Sequence, residues 1–171
     1  MTPSAGPSAG PRAEATPNGD TDFVSFADNH VVRELVGELG SNLKLVARPL
    51  NVELTQRGSG IVISGSGDRA LARGVLEALY GLASTGRPIH PSDVRHAVRI
   101  LREDPTADLA VYFHDTVLIC LDGRPISPRS AGQKAYLDML RSNDVAFGVG
   151  PAGTGKTYLA MAVAVAALLR G

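Results

Sequence analysis

"GVGPAGTGKTYLAMAVAVAALLRG", residues 148–171, carries the most specific pattern in the chain. Within it Gly150-Pro151-Ala152-Gly153-Thr154-Gly155-Lys156-Thr157 fits G-x-x-x-x-G-K-[ST] without a mismatch. Glycines at these spacings let successive backbone N–H groups turn inward and form an anion nest without Cβ clashes. A helix starting at Gly155 or Lys156 aims its positive end at the same anion. Lys156 would place a point charge between the β- and γ-phosphates of a nucleotide, and the Thr157 hydroxyl would ligate Mg²⁺. Only Lys44, Lys134 and Lys156 occur against 14 arginines, so a lysine at this position is less readily an accident. A short buried strand is expected in DVAFGVG (144–150), followed by the loop and the helix. That succession of strand, glycine loop and helix puts the segment in the α/β class.

The rest of the composition narrows the surroundings. The chain is 44% hydrophobic and 20% charged, an ordinary globular balance, with 17 basic and 17 acidic residues. A net charge of zero argues against strong overall attraction to nucleic acid or an anionic membrane. The single cysteine, Cys120, sits in the apolar run VLICL, excludes an intramolecular disulfide and reads as a small buried hydrophobe. The start MTPSAGPSAGPRAEATPNGD has no apolar signal region. The most apolar stretch, residues 158–169, falls short of the about 20 residues needed to span a bilayer. A soluble cytoplasmic protein without membrane partners is the expectation.

Residues 1–20 hold four prolines and three glycines and are expected to be disordered. TDFVSFAD alternates as a strand does, and NHVVRELVGELG spaces Val31, Val32, Leu35, Val36 and Leu39 as on a helix. SNLKLVARPL continues as a short helix capped by Ser41 or Asn42. NVELTQR and GIVISG read as strands joined at Gly58 and Ser59. From Asp68 an amphipathic helix follows. HPSDVRHAVRILRED is another, capped by Ser92 or Asp93, and residues 110–121 read as one bent strand or two short ones. A further helix is expected over 132–141.

Gly37-Glu38-Leu39-Gly40 places a G-x-x-G turn between the first two helices. The order strand, helix, helix, strand, strand, helix over residues 21–83 resembles a KH domain, in which that loop clamps a nucleic-acid backbone. Here Glu38 and Leu39 stand between the glycines, and a carboxylate repels a phosphate. Residues 21–90 hold seven basic and seven acidic residues, which gives no basic footprint for RNA. A KH-like scaffold serving domain packing or protein contact is therefore the competing reading. Arg95, Arg99 and Arg102 form a stripe at i, i+4 and i+7 that could track a phosphate backbone, or simply face solvent. His90, His96 and His114 show no metal-ligand spacing.

Gln133 lies 17 residues before Gly150, at the start of the expected helix. A glutamine amide there can pair bidentately with an adenine edge, or be merely solvated. With Gln133-Lys-Ala-Tyr136 followed by GPAGTGKTYLA, the chain resembles the PhoH family of P-loop ATPases from about Thr21 to Gly171. The resemblance implies α/β architecture: a KH-like domain (21–85), a connecting helix-and-strand region (86–125) and a truncated P-loop NTPase domain (126–171). It implies ATP and Mg²⁺ as ligands, a link to RNA metabolism and room for homo-oligomerisation of a full-length form. It assigns Gly150, Pro151, Ala152, Gly153, Thr154, Gly155, Lys156 and Thr157 to phosphate and Mg²⁺ contacts, and strengthens Gln133 as the adenine reader.

Family members carry the acidic residue for Mg²⁺ and water well downstream of the phosphate loop, and only 14 residues follow Thr157 here. The expectation is half a site: nucleotide binding without useful hydrolysis, in an N-terminal portion of a longer ATPase. The alternatives are a KH-like RNA- or protein-binding module with a vestigial phosphate loop, and a different P-loop enzyme such as a kinase.

Overall fold

The computed structural model describes the backbone at 12–15 and residues 21–121 and 123–170. These divide into two compact units, the first ending at Pro105 and the second beginning at Thr106. The structure is mixed helix and strand, as the α/β reading requires.

The first unit contains β1 (Arg12–Ala15), β2 (Thr21–Ser25), α1 (Asn29–Val36), α2 (Ser41–Leu50), β3 (Glu53–Arg57), β4 (Gly60–Ser64), α3 (Arg69–Ser84) and α4 (Pro91–Glu103). From β2 onward the expected order holds. The strands form one antiparallel sheet in the order β1-β2-β4-β3. Val24 of β2 and Ile61 and Ile63 of β4 are fully buried, as are Ala72, Val75, Leu76 and Leu79 of α3. Burying each of the larger side chains contributes about 1.5–3 kcal/mol. Asp68 starts α3 by accepting from Leu71 N at 2.9 Å. Just before it, a Cβ on Gly67 would lie 2.0 Å from the Leu50 carbonyl oxygen. Only glycine lets the chain return so close to the end of α2.

Several expectations fail here for local reasons. Arg12–Ala15, placed in the disordered tail, pairs with β2 from Arg12↔Ser25 to Ala15↔Asp22. RAEA contains neither proline nor glycine, and the outer edge of β2 offers unpaired backbone groups; the rest of 1–20 lies outside the described residues. The cap of α2 is not Ser41 or Asn42 but Gly40, in the left-handed region at φ 71. Asn42 is buried instead, its Nδ2 donating to Glu34 O at 3.4 Å. The cap of α4 is His90, whose N–H donates to Asp93 at 3.1 Å, with Pro91 opening the first turn.

The second unit contains α5 (Leu109–Phe113), β5 (Leu118–Ile119), β6 (Pro125–Ile126), α6 (Ala131–Ser142) and α7 (Lys156–Arg170). Residues 110–121 are thus not all strand. Asp108 caps α5 by accepting from Ala110 N at 2.9 Å, and Leu109 and Phe113 bury one side of that turn. Only Leu118–Ile119 pairs, antiparallel with β6. Residues 86–125 are divided between the units: α4 packs on α2 and α3, whereas β5 packs against α7.

DVAFGVG forms no strand, and Val145, Phe147 and Val149 are 72%, 84% and 96% exposed. A central parallel strand takes its hydrogen bonds from neighbours on both sides, and among the described residues none lies beside it. The helix after the loop does form. Leu159 and Ala162 of α7 meet Leu137 of α6 and Ile126 in the unit's core, with half-buried Cys120 against it. No helix among the described residues is long and apolar enough to cross a membrane.

Candidate functional site

The phosphate-binding motif forms an open loop running into α7. Gly153 and Gly155 take φ values of 77° and 83°, where a side chain would be strained. The bond from Leu159 N to Gly155 O, at 2.9 Å, closes the first turn of the helix. Among the described residues, the N–H groups of Gly153, Thr154, Gly155, Lys156 and Thr157 donate to no other residue. Five free donors at the positive end of a helix are an arrangement suited to an anion.

Lys156 reaches back over this loop. Its Nζ donates to Gly150 O at 2.8 Å, to Pro151 O at 2.7 Å and to Thr154 Oγ1 at 3.2 Å, which uses all three ammonium protons. Thr154 Oγ1 in turn donates to Pro151 O at 3.0 Å. The lysine thus braces the loop on neutral acceptors, and a phosphate offers the same ammonium hydrogen bonds roughly twice as strong. Thr157, Pro151 and Ala152 are exposed.

Gln133 joins α6 to the loop. Ser130 caps α6 by accepting from Gln133 N at 3.3 Å. The Gln133 side chain accepts from Arg129 N at 2.7 Å and donates to Thr154 O at 3.1 Å. A Cβ on Gly155 would lie 3.1 Å from Gln133 Nε2, so the glycine also clears room for this contact. One Nε2 proton and one Oε1 lone pair remain, which is the donor–acceptor pair an adenine edge needs.

Between α6 and the loop lies an open cleft of about 470 Å³. Gln133, Tyr136, Met139, Phe147, Val149 and Lys156 are among its walls. Tyr136 lies against the backbone at Gly148, where a Cβ would stand 2.9 Å from its ring. Tyr136 and Met139 follow Gln133 on α6 at steps of three, a spacing legible in the sequence; Phe147 and Val149 were expected in a strand. Lys156 is the sole cation among the described lining residues, and no carboxylate lines the cleft.

The other charges of α6 are engaged elsewhere. Lys134 Nζ bonds both Asp138 carboxylate oxygens, at 2.5 and 2.7 Å, and lies 3.4 Å from Asp115. The hydrogen bond to Asp138, with Asp115 behind it, raises the Lys134 pKa above its ordinary value against a smaller opposing effect of burial. Arg141 bonds Asp115 at 2.7 Å. Asp115 thus fastens the segment after α5 to α6. No group of three or more His, Cys, Asp or Glu among the described residues could hold a metal.

The chain is similar to known proteins. The family model described as PhoH-like protein matches residues 125–171, which contain α6, the loop and α7. PhoH-like proteins of Mycobacterium leprae and Mycobacterium tuberculosis are 38% identical over 139 residues, 78% of this chain and 38% of each relative. That of Bacillus subtilis is 34% identical over 138 residues, 80% of this chain and 43% of its own length. The chain belongs to the PhoH-like family. It spans about two fifths of the length of these relatives. The likeness to them extends well beyond residues 125–171 and so takes in much of the first unit. No solved structure gives a significant match.

Proposed function

We propose that the second unit binds ATP with Mg²⁺, its phosphates on the loop 150–157 and its base in the cleft beside Gln133 and Tyr136. The five unpaired N–H groups from Gly153 to Thr157, beside the Lys156 ammonium, are the observation that carries this reading. Thr157 contributes its hydroxyl to the metal, and the amide of Gln133 keeps the two positions that select adenine. When bound there, Mg²⁺ would neutralise part of the phosphate charge. Hydrolysis also needs a carboxylate to position metal and water, and the cleft wall described here has none.

Binding of a fluorescent ATP analogue to the full chain, with and without Mg²⁺, tests the proposal. Replacing Lys156 by Ala removes charge-assisted bonds of about 1.5–3 kcal/mol, or roughly 10- to 150-fold in affinity. Saturable binding that survives Lys156→Ala unchanged would sink this assignment.

A second reading concerns the first unit. Its strand–helix–helix–strand–strand–helix order and the turn at 37–40 support a KH-like module that contacts RNA. A groove of about 320 Å³ runs beside that turn, between α2 and β3, with Leu39, Leu43, Lys44, Leu54 and Gln56 in its walls. Lys44→Gln should weaken RNA binding if this groove is used; equal binding would remove that role.

A further inference from the structure

The stripe Arg95, Arg99 and Arg102 on α4 does not simply face water. It forms one wall of a cleft of about 360 Å³ between α4 and α2, and Arg48 of α2 joins it from the opposite wall. Four guanidinium groups therefore converge on a single cleft in a chain whose net charge is zero. Glu103 is the only acidic residue among its described walls. The floor is apolar, made by Leu45, Pro49 and Val98.

Two features separate this cluster from an ordinary solvated helix face. First, Arg102 fixes the walls together: its Nη2 donates to Pro49 O at 2.7 Å across the cleft. Second, Arg48, Arg95 and Arg99 make no ion pair or hydrogen bond through their side chains to any described residue. Some cations outside the cleft do meet carboxylates: Arg73 with Asp22 at 3.5 Å, Lys134 with Asp138 and Asp115, Arg141 with Asp115. Holding several like charges unpaired at one cleft is unfavourable unless an anion from outside relieves it.

We propose that this cleft binds the sugar–phosphate backbone of a single-stranded nucleic acid. From Arg95 to Arg102 the helix rises about 10 Å, the rise of about three stacked nucleotides. Arginine forks engage phosphate oxygens two at a time, and the apolar lining residues Leu45, Pro49 and Val98 offer a surface on which a base or ribose can lie. Pro49 has no N–H for the Leu45 carbonyl, which leaves an acceptor without its usual helical donor. The cleft and the groove beside the 37–40 turn flank α2 on opposite faces: Leu43, Lys44 and Ala47 line one, Leu45 and Arg48 the other. The inference shares with the KH-like reading only the assignment of nucleic acid to the first unit. It owes nothing to ATP binding.

Fluorescence anisotropy with labelled oligo(U) and oligo(dT) of about 12 nucleotides, using the full chain without ATP, decides the matter. Titrations at about 50 and 200 mM KCl give the salt slope, and the two oligonucleotides separate RNA from DNA as the source of the phosphates. Arg95→Gln/Arg99→Gln should weaken binding at least tenfold and lower the slope of log K against log salt by about 1.4, since each lost phosphate contact removes about 0.7. Glu103→Gln should tighten binding, a gain that loss of folding cannot produce. Arg170→Gln, which removes one charge from the second unit, should change neither. Lys44→Gln separates the two surfaces: binding lost there but untouched by the α4 variants would overturn the cleft while leaving the KH-like groove standing. Equal loss with Arg170→Gln would reduce the effect to net charge and overturn the proposal. So would capture of oligo-glutamate, but of neither oligonucleotide, through the same arginines.

Discussion

Single residues already carry unequal burdens in this chain. Leu39 takes φ 51° and is 96% exposed, a conformation that costs a non-glycine residue about 1–2 kcal/mol and gains it no burial. Leu39→Asn should therefore raise stability by about 0.5–1 kcal/mol in urea unfolding, since asparagine tolerates that region. A strained, exposed leucine lining the groove is placed to touch what binds there, so the same variant should weaken any ligand of that groove. Gly155 is the opposite case. Its φ of 83° strains any side chain, and a methyl group would push Gln133 Nε2, 3.1 Å away, by a few tenths of an ångström. Gly155→Ala should lower ATP affinity about tenfold or more while leaving the far-ultraviolet circular dichroism unchanged; an unaltered affinity would mean that the loop is not the phosphate site.

Among the elements, α6 does most to shape the candidate site. Gln133 ties its first turn to Thr154, and the Lys134–Asp138–Asp115–Arg141 set ties its outer face to the segment after α5. Gln133→Ala should cost about 0.5–1.5 kcal/mol of stability for the lost hydrogen bonds. It should weaken ATP more than GTP if the free half of the amide reads adenine; equal losses for both would leave Gln133 as a brace alone. The Lys134 pair also sets a pH dependence. Because folding raises this lysine's pKa, its contribution is full below the unfolded value of about 10.4 and is lost as pH climbs through the folded value. Lys134→Met should thus lower stability at neutral pH and flatten the decline seen above about pH 10; an identical alkaline decline in the variant would show that other groups cause it. The elements also show where reading by pattern works. The repeat of apolar residues after Asp68 marked α3 because that signal is local. The alternation in 110–121 misled because Asp108, outside that run, caps a helical turn over its first half.

For the whole molecule the division at Pro105/Thr106 sets the expectation. Leu76 is fully buried in the first unit, and Leu76→Ala should cost about 2–5 kcal/mol there. If the units fold separately, ATP affinity should not change with that substitution. Hydrogen exchange checks it: added ATP should protect residues 150–160 and leave 61–79 as they were.

The sequence by itself determined what depends on near neighbours. The glycine-lysine-threonine spacing, the helix that follows it, the amphipathic face of α3 and the two-residue turn at Gly58–Ser59 all arise from residues within a few positions of one another. Tertiary structure decided what depends on distant partners. It placed Gln133 on Thr154, brought Arg48 across from Arg95 and Arg99, added Arg12–Ala15 to the edge of β2 and left 145–149 unpaired. The physical reason is one of range. Caps, turns and helical periodicity are set by local backbone geometry. Strand pairing and side-chain convergence are set by which surfaces the fold makes available, and the residues themselves do not state that.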